Sequence, residues 1–87
     1  MNSFEFKIST PDGSLFEGDA IKVDVRGLEG ELAIMAGHVP FMTAVKAGEC
    51  RLLLPDGSVR TGTLGGGLLS CTASGTTLFA AGFGWKE

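Results

Sequence analysis

The sequence has few of the residues from which catalytic and metal-binding sites are built. Its 87 residues include no tyrosine, one histidine, His38, and two cysteines, Cys50 and Cys71, which form no Cys-x-x-Cys pattern. Zinc sites combine about four His, Cys or carboxylate ligands, and a thiol nucleophile needs a group that lowers its pKa. We therefore predict no catalytic residue, no metal and no cofactor, and we expect both cysteines to be reduced, partly buried thiols.

The sequence also lacks a basic excess and a recognisable leader. Seven lysines and arginines stand against ten aspartates and glutamates, for a formal net charge of -3. Nucleic-acid-binding proteins need a dense basic surface to replace phosphate counterions, so this charge excludes nucleic acid as the partner. The first residues show no basic head followed by an apolar run, so we expect no signal peptide.

Charge is absent from one long segment. Between Thr61 and Trp85 the sequence contains no Asp, Glu, Lys or Arg, and a helix of this length would span a bilayer. The segment is rich in glycine, serine and threonine, which make it weakly apolar and a poor helix. We predict that it does not cross a membrane.

The pattern that is present is alternation, since no apolar stripe with a 3.6-residue period persists for three turns. Apolar and polar residues alternate over residues 4–9 and 21–26, which is typical of half-buried strands. Pro-Asp-Gly at residues 11–13 and 55–57 predicts two turns between strands. The second turn is flanked by two strand-like runs, which predicts a hairpin. The runs that enter and leave this turn are residues 51–54 and 58–61. Further short strands, separated by glycine or proline, are predicted at residues 15–16, 31–35, 41–46 and 76–83.

These elements predict the fold class. Residues 1–87 are expected to form one all-β domain, a flattened sandwich or barrel of about eight to ten short strands. The glycine triplet Gly65-Gly66-Gly67 is not followed by Gly-Lys-Ser/Thr or by a predicted helix, so it does not fit a phosphate-binding loop. We interpret it as a sharp bend or a close crossing of strands, where only glycine lets two backbones approach.

The C-terminal third is unusually apolar. Neither parity of the predicted strand 76–83 carries a charge, whereas a strand covered on one face should show polar residues on the other. This strand is therefore either enclosed in the core or covered by another chain. The nearby Trp85 favours the second reading, because tryptophan is a frequent interface anchor.

Two sets of titratable residues have a chemical interpretation beside a structural one. Glu29 and Glu31 could share a face, as a general acid and base sometimes do, but such spacing is common on solvated loops and we interpret them as a charged loop. A small enzyme that uses His38 with Cys50 or Cys71 stays open as an alternative. Bound metal or a fast-reacting thiol would reveal it.

Several motifs occur in an order that resembles the epsilon subunit of F-type ATP synthases. They are TPDG at residues 10–13, LFEG at 15–18, GLEGELAI at 27–34, GHVP at 37–40, TAVKAG at 43–48 and LGGGLL at 64–69. The resemblance extends over residues 4–79, and residues 27–40 carry its most specific part.

The resemblance implies a fold and a function. In that family a flattened sandwich of two packed sheets precedes a pair of helices, and we expect residues 1–87 to correspond to the sandwich alone. It implies a non-catalytic subunit of the central stalk, which links the gamma subunit to the membrane c ring and so couples proton or sodium flow to ATP synthesis. It also implies a peripheral position on the cytoplasmic face of a bacterial plasma membrane.

The resemblance further assigns candidate contact residues. Those that match the ring-facing loops are Glu29, Glu31 and His38. The candidates for contact with the gamma subunit are Phe79, Phe83 and Trp85. The alternative function is a free-standing β-sandwich module that binds proteins and self-associates through its C-terminal strand, and that would form oligomers without a gamma subunit.

Overall fold

The computed structural model describes residues 2–37 and 40–86, and its regular elements are all strands. In chain order they are β1 (Phe4–Thr10), β2 (Gly13–Ala20), β3 (Lys22–Gly27), β4 (Gly30–Met35), β5 (Phe41–Leu53), β6 (Val59–Thr72), β7 (Gly75–Ala80) and β8 (Phe83–Trp85). The predicted all-β class is confirmed. Across the described residues no helix is long and apolar enough to cross a membrane.

The strands form one sheet that folds over on itself. Its order is β2-β1-β7-β6-β5-β3-β4, with β8 added to β6. Strand β6 pairs with β7 over residues 67–72 and with β8 over residues 62–64, so its two halves belong to different layers. The first layer contains β2, β1, β7 and the adjoining halves of β6 and β5, and the second contains β4, β3, β8 and the other halves. The result is the predicted sandwich.

A single cluster of apolar side chains fills the space between the layers. Alternation along each strand directs one parity inward, as the sequence pattern of β1 and β3 predicts. The largest members of the cluster are each at most 1% exposed: Phe6, Ile8, Val23, Val25, Ile34, Leu52, Leu64, Leu69 and Leu78. Burial of both layers against this cluster holds the sandwich closed.

The predicted division of the central segment was wrong. Residues 41–46 and 51–54 were expected to form separate short strands, but they lie in the single strand β5, which ends at Leu53. Gly48, with a φ of +153°, allows β5 to bend while its pairing with β6 continues. The long β5–β6 hairpin therefore contributes to both layers.

The predicted strand over residues 76–83 is also divided differently. It is split into β7 and β8 by a turn at Ala81 and Gly82. This turn is fixed by two backbone hydrogen bonds, in which Ala81 N donates to Gly66 O (2.9 Å) and Gly65 N donates to Gly82 O (2.8 Å). The chain thus leaves the first layer at β7 and enters the second at β8.

The glycine triplet forms the bend that the sequence predicts. Gly66 has a φ of +101°, which side-chain-bearing residues rarely adopt. A Cβ atom on Gly67 would clash with the carbonyl oxygen of Phe79, so the close approach of β6 and β7 requires glycine. The prediction of a bend and a close strand contact is confirmed.

Both Pro-Asp-Gly turns are confirmed as well. Gly13 and Gly57 have φ values of +126° and +89°. In the second turn, Asp56 Oδ1 accepts hydrogen bonds from Ser58 N (2.8 Å) and Ser58 Oγ (2.6 Å). These bonds favour the carboxylate and lower the pKa of Asp56. The side chain thereby fixes the turn that joins β5 to β6.

Candidate docking surfaces

The outward side of the first layer carries a face without charge across β5, β6 and β7. We call this set the uncharged face: Met42, Ala44, Leu68, Ser70, Thr77 and Phe79. Strand register arranges it in two rows, one through Leu68 and one through Ser70. Met42 is 63% exposed, Phe79 48% and Leu68 37%. Clustered, exposed apolar side chains of this kind are typical of a protein-binding surface.

Charged side chains lie at the margin of this face. Lys7 of β1 pairs in register with Thr77 of β7, and its Nζ lies 3.3 Å from Oε2 of Glu17 on β2. Ser9 lies in β1 between Lys7 and the turn at the end of the strand. It pairs in register with Phe79. An apolar centre with a polar rim is the usual anatomy of a protein interface.

The outward side of the second layer is different, because it carries charges of alternating sign. Lys22 lies 3.7 Å from Asp24, and Glu49 accepts contacts from Arg51 (3.5 Å) and Lys86 (3.0 Å). The hydrogen bond from Lys86 lowers the pKa of the exposed Glu49 carboxyl. Exposed pairs of this kind add little stability but favour water, so this side is solvated.

The candidate ring-facing carboxylates lie at the turn between β3 and β4. Glu29 is in the turn itself, and Glu31 is the second residue of β4; both are exposed. Gly27 pairs with Gly30 across the turn and with Val45 of β5, so the turn is fixed to the central hairpin. The structure therefore brings Glu29 and Glu31 together.

The third candidate in this set, His38, lies outside the described residues. Its neighbour Gly37 follows the far end of β4, which is about 17 Å from the β3–β4 turn at the rise of an extended strand. The described residues therefore place only the two carboxylates at this turn.

The three C-terminal aromatic candidates lie on two sides of the sandwich. Phe79 points outward in the uncharged face and is exposed. Phe83 and Trp85 pair with Leu64 and Gly62 on the inward side of β6, and both are half-buried against the core. The sequence suggested that all three share one surface, but the structure separates Phe79 from Phe83 and Trp85.

The half-buried Trp85 side chain has a packing role within the sandwich. Its ring packs edge-on against Phe83 at a centroid distance of 4.9 Å and against Phe16 of β2 at 6.5 Å. The guanidinium of Arg60 lies 3.8 Å from the ring centroid and covers its outer side. Trp85 thus closes the gap between β8 and β2 at one edge of the two layers.

The two thiols lie in the core and lack an activating environment. Cys50 and Cys71 are both free and buried. Burial raises the pKa of Cys50 to about 12, with a smaller contribution from the charge of Asp24. Residues 2–37 and 40–86 contain no group of three His, Cys, Asp or Glu that could hold a metal ion. The Cys50 thiol therefore does not have the lowered pKa that nucleophilic catalysis requires.

The buried thiols lead to a labelling prediction. At pH 8 a thiol with a pKa of about 12 is ionised in about one molecule in ten thousand. We expect a thiol-specific disulfide reagent to label the native chain at least about a hundredfold more slowly than the chain unfolded in urea. Rapid labelling of either cysteine in the native chain would restore the thiol-enzyme alternative.

Sequence reasoning missed the two large apolar side chains that accompany Phe79 in the uncharged face, Met42 and Leu68. The signal for Met42 was present, since it lies on the outward parity of the predicted strand 41–46. Leu68 could not be assigned a side in advance, because Leu68 and Leu69 are adjacent and either could face the core. Their pairing with Ser70 and Phe79 is set by strand register, which only the tertiary structure supplies.

The fold and its surfaces define a small sandwich with an uncharged outward face. The sequence profile of the ATP synthase delta/epsilon chain, beta-sandwich domain, matches residues 3–86. The chain belongs to this family.

One curated relative is the sodium-ion-specific ATP synthase epsilon chain of Acetobacterium woodii. It is 36% identical to this chain over 85 residues, an alignment that covers 98% of this chain and 64% of the relative. The chain thus spans slightly less than two thirds of the length of that relative.

Solved structures of two mitochondrial ATP synthases contain chains of the same fold. One, from the Euglena gracilis enzyme with its OSCP, F1 and c-ring parts, matches with a TM-score of 0.89 and 15% identity, over 95% of this chain and 53% of that one. The other, from the central stalk and c ring of Tetrahymena thermophila, matches with a TM-score of 0.77 and 14% identity, over 92% and 64% of the two chains. At these identities the similarity is one of fold.

Proposed function

We propose that this chain is a non-catalytic subunit of the central stalk of an F-type ATP synthase, and that it links the gamma subunit to the membrane c ring. Membership of the delta/epsilon family and the epsilon-chain relative support this proposal. The observation that carries it is the uncharged face, whose Phe79 is 48% exposed in the centre of a sheet. Such a face is best explained as a surface that another subunit covers.

We infer that the gamma subunit binds the uncharged face. Met42, Leu68 and Phe79 provide an apolar centre, and the Lys7–Glu17 pair provides part of a polar rim. Of the aromatic candidates, Phe79 makes the contact, while Phe83 and Trp85 support the sandwich from its inner side. The charged outer side of the second layer faces water.

The c ring is assigned to the β3–β4 turn. This turn is held by the pairing of Gly27 with Val45, and Val45 lies in the same strand as Met42 of the uncharged face. A load applied at the turn is therefore transmitted to the gamma-binding face through one strand rather than through a flexible linker. This rigidity is the physical requirement for coupling ion flow to rotation of the stalk.

The proposed role implies a location. A stalk subunit held between gamma and the ring lies peripheral to the bilayer, on the cytoplasmic face of a bacterial plasma membrane. The bacterial source of the epsilon-chain relative supports this placement. Whether the coupled ion is a proton or sodium is a property of the ring and not of this chain.

Co-purification tests the proposed function. We expect this chain, expressed with the gamma subunit of the same organism, to elute from size-exclusion chromatography as a stable one-to-one complex. A folded chain that elutes alone as a homo-oligomer would contradict the stalk role. It would favour the self-associating module, with the uncharged face as its self-contact.

The ring-facing carboxylates lead to a separate prediction. Glu29→Gln with Glu31→Gln should weaken docking to the c ring by about three- to tenfold at low salt and less at high salt, because rim charges act mainly on orientation and association rate. Binding to gamma should not change. A doubly substituted chain that binds the ring as well as the wild type at both salt concentrations would contradict the assignment of these residues.

A further inference from the structure

The β3–β4 turn has an exposed apolar side chain at its tip. Leu28 is 57% exposed and precedes Glu29 in the turn. It is held between two glycines that pair across the turn, and Gly30 has a φ of +131°. A Cβ atom on Gly27 would lie 3.0 Å from the Gly30 carbonyl oxygen, so the turn is tightly closed. Leu28 is therefore presented at a defined position.

The turn itself does not require a leucine. Three hairpins of this chain have the same form, each with a glycine of positive φ directly after its turn residues: Gly13, Gly30 and Gly75. The equivalent first turn positions hold Pro11, Leu28 and Ala73. Most residues are accepted at this position, and a large exposed aliphatic side chain adds no burial to the fold. Leu28 thus differs from its counterparts in a way that folding does not explain.

We propose that Leu28 is the apolar anchor of the ring-facing surface, and that it inserts into an apolar recess edged by basic side chains. The two exposed carboxylates beside it, Glu29 and Glu31, supply the complementary charge. In this arrangement the carboxylates orient the turn, and burial of Leu28 adds to its affinity. The inference rests on the proposed docking of this chain to a c ring.

The test compares three chains with an immobilised, detergent-solubilised c ring from the same organism in the presence of the gamma subunit. We expect Leu28→Ala to bind the c ring about five- to tenfold more weakly than the wild type does, as the loss of a half-exposed leucine from an interface predicts. The control is Val59→Ala, which removes a 53% exposed aliphatic side chain next to the β5–β6 turn and should bind unchanged. The urea midpoints of all three chains should agree.

The outcomes separate the inference from the function on which it rests. If the wild type binds the ring and Leu28→Ala binds equally well, the anchor role of Leu28 is overturned and the stalk function stands. If the wild type binds gamma but not the ring, both the ring assignment and the anchor are overturned. A loss of the same size for Val59→Ala would also overturn the anchor, because the effect would not be specific to the turn.

Discussion

Replacement of Phe79 by aspartate is expected to weaken binding to the gamma subunit by about a hundredfold while leaving the domain folded. In the proposed complex this position becomes buried together with Leu68 and Met42, and a carboxylate without a partner there costs several kcal/mol. In the free chain the same side chain points to solvent from the outward side of β7. Titration of the gamma subunit with the labelled domain measures this loss of affinity.

The second layer provides a matched control for this change. Thr63→Asp places the same carboxylate on the outward side of β6, where Thr63 is exposed and pairs with Glu49. This variant should bind gamma as the wild type does. If both variants weaken binding equally, or if Phe79→Asp has no effect, the uncharged face is not the gamma-binding surface.

Replacement of Gly67 by alanine is expected to lower the free energy of unfolding by about 3 kcal/mol. The added methyl group would clash with the carbonyl oxygen of Phe79, so β6 and β7 would have to separate. The pairing of Gly67 with Ala80 lies beside the bend at which the sheet turns from one layer to the other. Urea unfolding followed by the emission of Trp85 measures the change.

Gly84→Ala is the control for this prediction. Gly84 lies in β8, has no positive φ, and a Cβ atom there would meet nothing within 4 Å. Its substitution should change the free energy of unfolding by less than about 0.5 kcal/mol. Equal midpoints for Gly67→Ala and the wild type would show that the close approach of β6 and β7 is not required for stability.

Much of the fold could be predicted because it rests on local chemistry. Pro-Asp-Gly fixes the turns at residues 11–13 and 55–57, and alternation fixes which side chains of β1 and β3 face inward. The glycine triplet could be assigned to a bend because no other residue tolerates such a close contact. The ordered motifs from residue 10 to residue 69 also indicated the family that the sequence profile then matched.

The candidate surfaces could be predicted less completely from the sequence. Glu29 and Glu31 were assigned to one loop because they are close in the chain, and both lie at the β3–β4 turn. Phe79 and Trp85 are also close in the chain, yet the turn at Ala81 and Gly82 separates them, so that Phe79 lies on the outer surface of the first layer and Trp85 on the inward side of the second. Proximity in sequence predicts proximity in space only within one element.

The sequence by itself determined the all-β class, the turns, the lack of a basic excess and the resemblance to the epsilon family. Each of these depends on composition, period or motif order, all of which can be read from the linear sequence. The tertiary structure alone decided that Met42, Leu68 and Phe79 share a face, because their alignment depends on the register of three strands from distant parts of the chain. It also decided that Trp85 packs inward, since this follows from the bend of β6 and the pairing of β8 with its first half.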